Sequence, residues 1–494
     1  MDLISEVLIN TRNFLLSQTK EKRKKIGQFF TDEQTALYMA NMFDLSNSKG
    51  KIRVLDPGTG TGILSAAFIE TAVKKNISNI ELVLVENNLD VLPLLKENIK
   101  LFTNLKDIKI SVTLIEENFI TFQSNSFKNK TPSKLGQFDY IICNPPYLKI
   151  PRNSEETINM DEVISGAPNL YFLFMTLSIH NLVDNGEMVY IIPRSWTSGA
   201  YFKKFRNYIF DNASLSQVHL FARRDRVFSI EKVLQETIIV KFIKSKKADI
   251  VTLTSSEDNT FSNIITHLPS QEVLVQGSSK YVFLPTSSEE IQLLQRIGKF
   301  NNTLPKLGMK LKTGLTVDFK NKNRLKKQAE KETVPLLFPF NIDNGRINFP
   351  NKNKETYQYL LPTNGMKQIN KDYIFIKRFS SKEEKYRLQP AIYLCEDIKT
   401  QFISTDNKLN FIERIDKQPI ERDIIFGLFV IFNSTYYDTY YRILNGSTQV
   451  NSTEINDLPI PNKNELEHLG QLFKQSQNFT REFSDNLLGD ILKS

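Results

Sequence analysis

Residues 52–62 read IRVLDPGTGTG, an apolar run followed at once by a glycine-rich loop. A short apolar run that ends in such a loop is typical of a buried strand, and residues 62–74 continue with a helical pattern. Glycine allows the backbone to approach a ligand closely, and the first turn of a helix presents free amide groups. The stretch therefore predicts a strand, a loop and a helix that bind a ligand at one edge of an α/β sheet.

A second loop, NPPY at residues 144–147, follows the apolar run FDYIIC at residues 138–143. Two prolines fix φ and remove two backbone donors, so the carbonyl groups stay turned toward a site. The side-chain oxygen of Asn144 and the carbonyl of Pro145 can then accept both hydrogens of one –NH₂ group. These bonds draw the nitrogen lone pair out of conjugation, while Tyr147 offers its ring face, and not its hydroxyl, to a planar substrate. The loop predicts four catalytic residues: Asn144, Pro145, Pro146 and Tyr147.

Together the two loops predict methyl transfer from S-adenosylmethionine to an exocyclic or amide nitrogen. The loop glycines expected to face this cofactor are Gly58, Gly60 and Gly62. Asp56 ends the first strand and can accept from an ammonium group, and Glu86 follows the next strand, where it can accept from two ribose hydroxyls. The dinucleotide fingerprint G-x-G-x-x-G is the obvious rival, but Ile63 stands where its last glycine would be. Taken singly, each loop also fits a tight structural turn.

Composition places the chain among ordinary globular proteins. With 494 residues, 40% hydrophobic and 24% charged, it is long enough for two or three domains. Two cysteines and four histidines argue against a disulfide framework or a zinc site and favour a reducing cytoplasm. No signal pattern opens the sequence, and the longest apolar run, residues 424–432, is too short to span a bilayer and predicts a buried helix or strand. We therefore expect a cytoplasmic protein without a metal.

The net charge points to a polyanionic partner. It is +9, with a pI near 9.1, and Lys and Arg bind polyanions by neutralising phosphates and releasing counterions. Basic residues crowd the segment 310–327. A solvated lysine-rich loop is the plain alternative for some of them.

From residue 52 onward, predicted strands and helices alternate. The predicted strands are residues 52–55, 80–85, 108–114, 138–143, 188–192 and 237–242, and the predicted helices are residues 62–74, 89–101, 170–182 and 201–210. Upstream, residues 1–25 and a capping box that starts at Thr31 predict two further helices. The alternation implies a doubly wound, mostly parallel α/β sheet. The alternation of strands and helices stops after residue 245. We therefore predict a catalytic domain at 1–245, a junction at 246–300 and a C-terminal α+β recognition domain at 301–494.

Two further positions are candidates for the site. Asn118 and Phe119 follow a predicted strand and can hold an adenine ring, with the amide at its edge and the phenyl group on its face. Phe228 precedes the strand at 237–242 and can cover the second face of a flipped base. A loop asparagine and core phenylalanines fit these positions equally well.

These features, in this order, resemble the gamma-class DNA adenine-N6 methyltransferases, the modification enzymes of restriction systems. Residues 27–31, GQFFT, resemble the N-terminal cofactor motif of that class, which implies cofactor contacts from Gln28, Phe30 and Thr31. The other motifs follow in the order of the class: the glycine loop from Asp56, Glu86, Asn118-Phe119, the NPPY loop, in which Asn144 also borders the cofactor, and the Phe228 segment. The resemblance covers about the first 245 residues.

Two segments of the second half, residues 376–384 and 445–451, are similar to modification methylases of the PstI/BsuBI type. That similarity implies duplex DNA as the substrate, CTGCAG as the target and a separate restriction endonuclease as the functional partner. For contacts to the DNA phosphates we predict four basic residues: Lys310, Lys312, Lys377 and Arg378. The chain departs from the class at two positions. Asp32 replaces the usual proline. Asn118 stands where many relatives carry Asp, and the asparagine side chain keeps an acceptor oxygen but has no charge.

Three other functions share parts of this pattern. A protein glutamine-N5 methyltransferase also uses NPPY, but it would not need a basic C-terminal half of about 250 residues. An RNA base methyltransferase shares the sheet but usually lacks a large downstream domain. A DNA-binding specificity subunit without catalysis fits the ending at residues 449–461, but not the intact glycine and NPPY loops. Methyl incorporation into duplex DNA separates these alternatives.

Overall fold

The computed structural model describes residues 3–17, 31–46, 50–221, 236–245, 249–354, 356–380, 384–446 and 448–493. The chain divides into two compact units, residues 1–272 and 273–494. This division falls inside the junction predicted at 246–300. The assignment of catalysis to the first part and of recognition to the second stays a prediction.

The first unit is built on one large sheet. Its strands are β1 (Lys51–Asp56), β2 (Asn79–Val85), β3 (Lys109–Ile115), β4 (Phe138–Cys143), β5 (Leu182–Pro193), β6 (Ala213–Phe221), β7 (Thr237–Lys244), β8 (Thr252–Ser256) and β9 (Ile265–His267). Within the described residues they lie in the order β3-β2-β1-β4-β5-β7-β6-β8-β9. Strands β1 to β5 run parallel to one another, and β7 is antiparallel to both β5 and β6. The mostly parallel sheet confirms the predicted α/β fold.

Helices follow most of these strands and cover the sheet. They are α1 (Leu3–Ser17), α2 (Glu33–Asn41), α3 (Ile63–Lys74), α4 (Leu92–Thr103), α5 (Phe119–Asn129), α6 (Leu170–Asn181) and α7 (Lys203–Asn212). Helices α1 to α4 share one apolar core with alternate strand residues such as Val54 and Leu82. The next residues along these strands, Leu55 and Val83, are also buried and belong to the opposite face, because strand side chains alternate. Burial of both faces explains why these strands read as continuous apolar runs.

The start of α2 differs from the sequence prediction. Thr31 is predicted to cap this helix, but the helix begins at Glu33 with Asp32 as its N-cap. The Asp32 side chain accepts a hydrogen bond from the Thr35 amide at 3.0 Å, as short acidic residues commonly do. The aspartate that replaces the usual proline therefore performs the capping.

Strands β6, β8 and β9 are not predicted from the sequence, because polar residues interrupt their apolar patterns. His219 on β6 is fully buried, with Nδ1 2.9 Å from Thr254 Oγ1 and Nε2 2.9 Å from Ser256 Oγ. Burial lowers the pKa of His219 to about 4, so the ring is neutral at physiological pH. A buried polar side chain is tolerated when its neighbours pair with it, and here those neighbours lie on β8.

The second unit combines small sheets with a group of helices, as the predicted α+β class requires. Its strands are β10 (Val275–Gln276), β11 (Tyr281–Val282), β12 (Met309–Thr313), β13 (Leu325–Lys326), β14 (Val334–Leu337), β15 (Ile342–Asp343), β16 (Arg346–Ile347), β17 (Tyr359–Leu360), β18 (Gln368–Ile369), β19 (Tyr373–Lys377), β20 (Pro390–Tyr393), β21 (Phe402–Thr405) and β22 (Leu409–Arg414). In the described part of this unit, a six-stranded sheet has the order β12-β22-β19-β20-β16-β15, and a five-stranded sheet has the order β13-β17-β14-β21-β18.

The remaining helices lie at the start and the end of the second unit. After the short α8 (Gln271–Leu274) at the division, they are α9 (Ser288–Gly298), α10 (Arg422–Phe432), α11 (Thr435–Leu444), α12 (Ser452–Asp457), α13 (Lys463–Ser476) and α14 (Arg481–Lys493). The apolar run at residues 424–432 falls within α10 and is buried, which confirms the prediction of a buried element there. Apolar residues from α9 to α14 and from the six-stranded sheet share one core.

Two absences hold for the described part of the chain. Its helices include none that combines the length and the apolar character needed to cross a membrane. No group of three or more His, Cys, Asp and Glu side chains is arranged to hold a metal ion. The two cysteines are free thiols, Cys143 buried and Cys395 partly exposed.

Candidate active site

The ends of neighbouring parallel strands bring the predicted loops together. Strands β2, β1 and β4 lie side by side, and Glu86, the glycine loop and the NPPY loop follow their carboxyl ends. Ligands of open α/β sheets bind at this edge. The loops surround a cleft of about 1130 Å³, including its open mouth. The predicted residues that line it are Thr31, Gly58, Gly60, Glu86, Asn118, Phe119, Asn144, Pro145 and Pro146.

The glycine loop has a backbone conformation that favours glycine at two positions. Gly60 and Gly62 have φ angles of 57° and 91°, in the left-handed region. A Cβ atom on Gly60 would meet no other atom within 4 Å, so this side of the loop is open. Gly62 is the N-cap of α3, and its Cβ would meet the Phe102 ring instead. Gly60 therefore borders the cleft, whereas Gly62 supports the loop from behind.

Glu86 is held at the cleft wall by three backbone amides. Its Oε2 accepts from Gly60 N at 2.8 Å, and its Oε1 accepts from Asn87 N at 2.9 Å and Asn88 N at 2.8 Å. Burial raises the pKa of Glu86, and these amides act in the opposite direction. The carboxylate is fixed in place, and Oε2 keeps a lone-pair site for a further donor.

Asp56 lies beneath the glycine loop and does not line the cleft. It is fully buried, its Oδ2 accepts from Ser65 Oγ at 2.8 Å, and its Oδ1 makes no hydrogen bond of normal geometry with the described residues. Burial raises the pKa of Asp56 to about 7, the charge of Glu86 adds to the rise, and Ser65 and the Gly58 amide oppose it. Direct contact of Asp56 with an ammonium group therefore stays a prediction.

A chain of hydrogen bonds orients the Asn144 amide. Its Nδ2 donates to Thr31 Oγ1 at 3.1 Å, and its Oδ1 accepts from the Tyr147 hydroxyl at 2.9 Å. The same hydroxyl lies 2.9 Å from the Ile191 carbonyl oxygen on β5. Burial raises the pKa of Tyr147 above its usual range, so the hydroxyl stays protonated and able to donate. The hydroxyl of Tyr147 thus contacts Asn144, a contact that the sequence prediction, which used only the ring face, does not include.

Asn118 and Phe119 form the start of α5. Asn118 Oδ1 caps this helix by accepting from Ile120 N at 2.9 Å, and its Nδ2 donates to Glu156 Oε1 at 3.2 Å. Because Asn and Asp are equally good helix caps, the replacement of the aspartate common in relatives preserves the local structure. Phe119 is buried, with its ring centroid 5.2 Å from that of Phe174. Contact of either residue with an adenine ring stays a prediction.

Some site residues lie outside the described part, and others are absent from the sequence prediction. Gln28, Phe30 and Phe228 lie outside the described residues. Lining residues that sequence reasoning missed are Pro57, Thr59, Thr61, Ile63, Leu64, Val85, Asn87, Asn88, Glu117, Ile120, Leu148, Leu170 and Phe174. Most of these adjoin predicted residues along the chain. Phe174 has no sequence signal, because α6 is apolar on all sides.

Two of the predicted phosphate contacts lie on β12. Lys310 is exposed and makes no ion pair with the described residues, whereas Lys312 Nζ lies 2.7 Å from Glu413 Oε1. The ion pair partly neutralises Lys312. Lys310 is therefore the stronger candidate for a phosphate contact.

The other two lie at the end of β19. Lys377 Nζ is 2.9 Å from Glu384 Oε2, and Arg378 donates to the Asn407 carbonyl at 2.9 Å. Both side chains are partly exposed. Their contact with DNA stays a prediction.

Comparison with known proteins identifies the family. Residues 6–228 match the model of the Eco57I restriction-modification methylases. The chain is 31% identical to the type II methyltransferase M.BsuBI of Bacillus subtilis over 96% of its own length and 95% of the relative, and 32% identical to M.PstI of Providencia stuartii over 95% and 93%. The restriction-modification enzyme MmeI, solved in complex with DNA, has the same fold with a TM-score of 0.52 at 12% identity, over 98% of this chain and 75% of that one. This chain belongs to the type II DNA methyltransferases of restriction-modification systems.

Proposed function

We propose that this protein transfers a methyl group from S-adenosylmethionine to N6 of an adenine that is flipped out of duplex DNA. The observation that carries the proposal is the Asn144 amide, held with its oxygen as an acceptor on the NPPY loop, beside a glycine loop on the neighbouring strand. Two hydrogen-bond acceptors beside a cofactor loop suit a substrate with an exocyclic –NH₂ group, because each acceptor takes one of its two hydrogens.

The cleft residues fit the cofactor. When bound, S-adenosylmethionine supplies an electrophilic methyl group. Gly58 and Gly60 line the cleft and would border it, Gly60 with its open side, and the fixed carboxylate of Glu86 would accept from a ribose hydroxyl. Asn118 and Phe119 would border its adenine ring, with Thr31 and the Asn144 loop closing the cleft.

The NPPY loop would hold the base. Asn144 Oδ1 and the Pro145 carbonyl accept both amine hydrogens, and Pro146 keeps the loop rigid. Extrusion of the base costs a few kcal/mol of unstacking. Stacking on Tyr147, with Phe228 on the second face, would return about 1–3 kcal/mol per base.

The two full-length relatives support a proposal for the target and the partners. M.BsuBI and M.PstI match both halves of the chain, so we propose CTGCAG as the target, the second unit as the recognition domain and a separate endonuclease as functional partner. Action on duplex DNA implies the cytoplasm. A protein glutamine target is disfavoured, because it leaves the second unit without a role.

Base analysis of methylated DNA tests the proposal. Plasmid treated with the enzyme should contain N6-methyladenine at one sequence, and cleavage by an endonuclease specific for CTGCAG should stop. The variant Asn144→Ala should lose methyl transfer while calorimetry shows little change in cofactor affinity. Methylcytosine or unmodified DNA contradicts the proposal, and protection at another sequence contradicts only the target.

A further inference from the structure

Several loops leave the same end of the six-stranded sheet in the second unit. Strand β12 ends where β22 begins, because Thr313 pairs with Asn410, and β19 ends there too, because Lys377 pairs with Leu409. The connections that follow or precede these strands therefore share one end of the sheet. Residues 378–380 belong to this end.

A single antiparallel β-bridge with one hydrogen bond on each side, called the ribbon below, lies at this end of the sheet. It joins residues 378–380 to residues 448–450, with Phe379 directly opposite Gln449. The hydrogen bonds that join its two sides are Ser380 N to Thr448 O at 3.1 Å and Val450 N to Arg378 O at 2.7 Å. These bonds flank the central pair, so the Phe379 and Gln449 side chains lie on one face, about 5 Å apart.

That face is the outward one. Ser380 and Val450, which alternate with the central pair, are buried in the unit. Phe379 is 38% exposed, and Gln449 is partly exposed. Both side chains of the central pair therefore reach the surface of the unit.

The backbone of the ribbon is anchored from below. The Gln449 carbonyl accepts from Tyr441 OH and from Asn445 Nδ2, both at 3.2 Å, and the Val450 carbonyl accepts from Asn410 Nδ2 at 3.0 Å. All of these bonds use main-chain atoms of the ribbon. A surface that presents side chains from a rigid backbone is suited to specific recognition.

One side of the ribbon, residues 378–380, belongs to a basic segment of the chain, and the other side, residues 448–450, belongs to a net acidic one. Residues 301–400 contain 20 Lys and Arg against 10 Asp and Glu, whereas residues 401–494 contain 9 against 13. Lys377 and Arg378 precede the central pair directly, and Lys385 is exposed on the same connection. The major groove of DNA admits a two-stranded ribbon, and glutamine pairs with adenine there through two hydrogen bonds.

We propose that this ribbon enters the major groove and reads the target sequence, with Gln449 contacting the edge of an adenine and Phe379 packing beside it against a thymine methyl group. The inference rests on the function of the chain as a DNA methyltransferase and assigns base readout to residues distinct from the phosphate contacts Lys377 and Arg378. Gln449 is a specificity-determining residue in this arrangement.

Selection from a randomised 30-base-pair duplex library tests the ribbon without using methylation. The wild-type protein with cofactor enriches its recognition sequence, and Gln449→Ala should lose preference at one or two adjacent A·T pairs by about ten- to hundred-fold. Gln449→Glu, which keeps the size of the side chain, should shift preference at the same pair toward cytosine. The matched control Gln418→Ala, exposed beyond the other end of β22, should select the wild-type sequence.

Two results would overturn the proposal. One is an unchanged selected sequence in both Gln449 variants. The other is a uniform loss of preference at every position, which indicates damage to the fold and no base-specific role for Gln449. A wild-type protein that selects a sequence but methylates none would instead contradict the proposed reaction and leave the ribbon in place.

Discussion

At the scale of single residues, the orientation of the Asn144 amide is set by its two neighbours. Thr31 Oγ1 accepts from the nitrogen end and the Tyr147 hydroxyl donates to the oxygen end. An amide turned the other way would direct donors at the target amine, which itself carries two hydrogens. Correct orientation is therefore a condition for the proposed transfer.

Removal of the Tyr147 hydroxyl should lower kcat. For Tyr147→Phe we expect a loss of about five-fold in kcat with little change in the KM for DNA, because one orienting hydrogen bond of about 1 kcal/mol disappears. Tyr147→Ala should lose more, since stacking is lost as well. Steady-state methylation kinetics measure both. Tyr171→Phe, whose hydroxyl lies 3.1 Å from Ser195 Oγ, is the matched control and should keep its kcat. A wild-type kcat in Tyr147→Phe would show that the hydroxyl has no orienting role.

The buried Asp56 should make the free energy of unfolding depend on pH. Its folded pKa of about 7 lies above the unfolded value near 4, so between these values only the unfolded state is ionised. Its contribution to stability is then lost as pH rises from about 4 to 7, at about 1.4 kcal/mol per unit, and stays level above pH 7. Asp56→Asn should flatten this part of the profile in urea unfolding of the cofactor-free protein. The exposed Asp107→Asn should run parallel to wild type, and a parallel Asp56→Asn profile would contradict the raised pKa.

At the scale of elements, two glycines bring α10 and α13 into close contact. A Cβ on Gly427 would overlap the Leu466 carbonyl, and one on Gly470 would overlap the Asp423 carbonyl. Each overlap involves backbone, which has no rotamer to change. The two helices therefore pack at a distance that larger residues do not allow.

Alanine at either glycine should destabilise the second unit. We expect Gly427→Ala to lower the free energy of unfolding by about 3 kcal/mol, because overpacking outweighs the better helix propensity of alanine. Thermal unfolding measures the change. In Gly489→Ala, on α14, the new methyl group would lie 3.4 Å from the Tyr436 hydroxyl, so that control should be close to neutral. Equal melting temperatures for all variants would show that the helices adjust freely.

The elements differ in how well the sequence predicts them. Strands β1, β2 and β4 are buried on both faces, so their apolar runs are unambiguous and place the two loops at one sheet edge. Strand β6 is not predicted from the sequence, because its polar residues suggest exposure and their partners on β8 become neighbours only when the chain folds. The ion pair between Lys241 and Glu187, 2.9 Å apart and almost fully buried, has no local signal either. Whether such a polar side chain can be buried depends on a partner that is distant in sequence. The orientation of Asn144 depends on distant partners in the same way.

At the scale of the whole molecule, charge is unevenly distributed along the second unit. Residues 301–400 carry a twofold excess of basic over acidic residues, and the segment that follows is net acidic. A duplex attracts the first segment and repels the second. Phosphate contacts are therefore expected from the strands and loops of residues 301–400, whereas the proposed base contact of Gln449 is uncharged and lies in the other segment.

The salt dependence of DNA binding should distinguish a free lysine from a paired one. Each phosphate contact contributes about 0.9 to the slope of log K against log salt. Lys310→Ala should reduce the slope by about that amount, whereas Lys312→Ala should reduce it less, because Glu413 already neutralises part of its charge. The change should be the same at cognate and unrelated sequences, since phosphates carry no sequence. Lys493→Ala, on α14 of the acidic segment, removes the same charge and should leave the slope unchanged. Titrations of a fluorescent duplex from 50 to 300 mM salt measure all three variants. Equal reductions in the three would mean that net charge alone governs binding, and that β12 does not contact the DNA backbone.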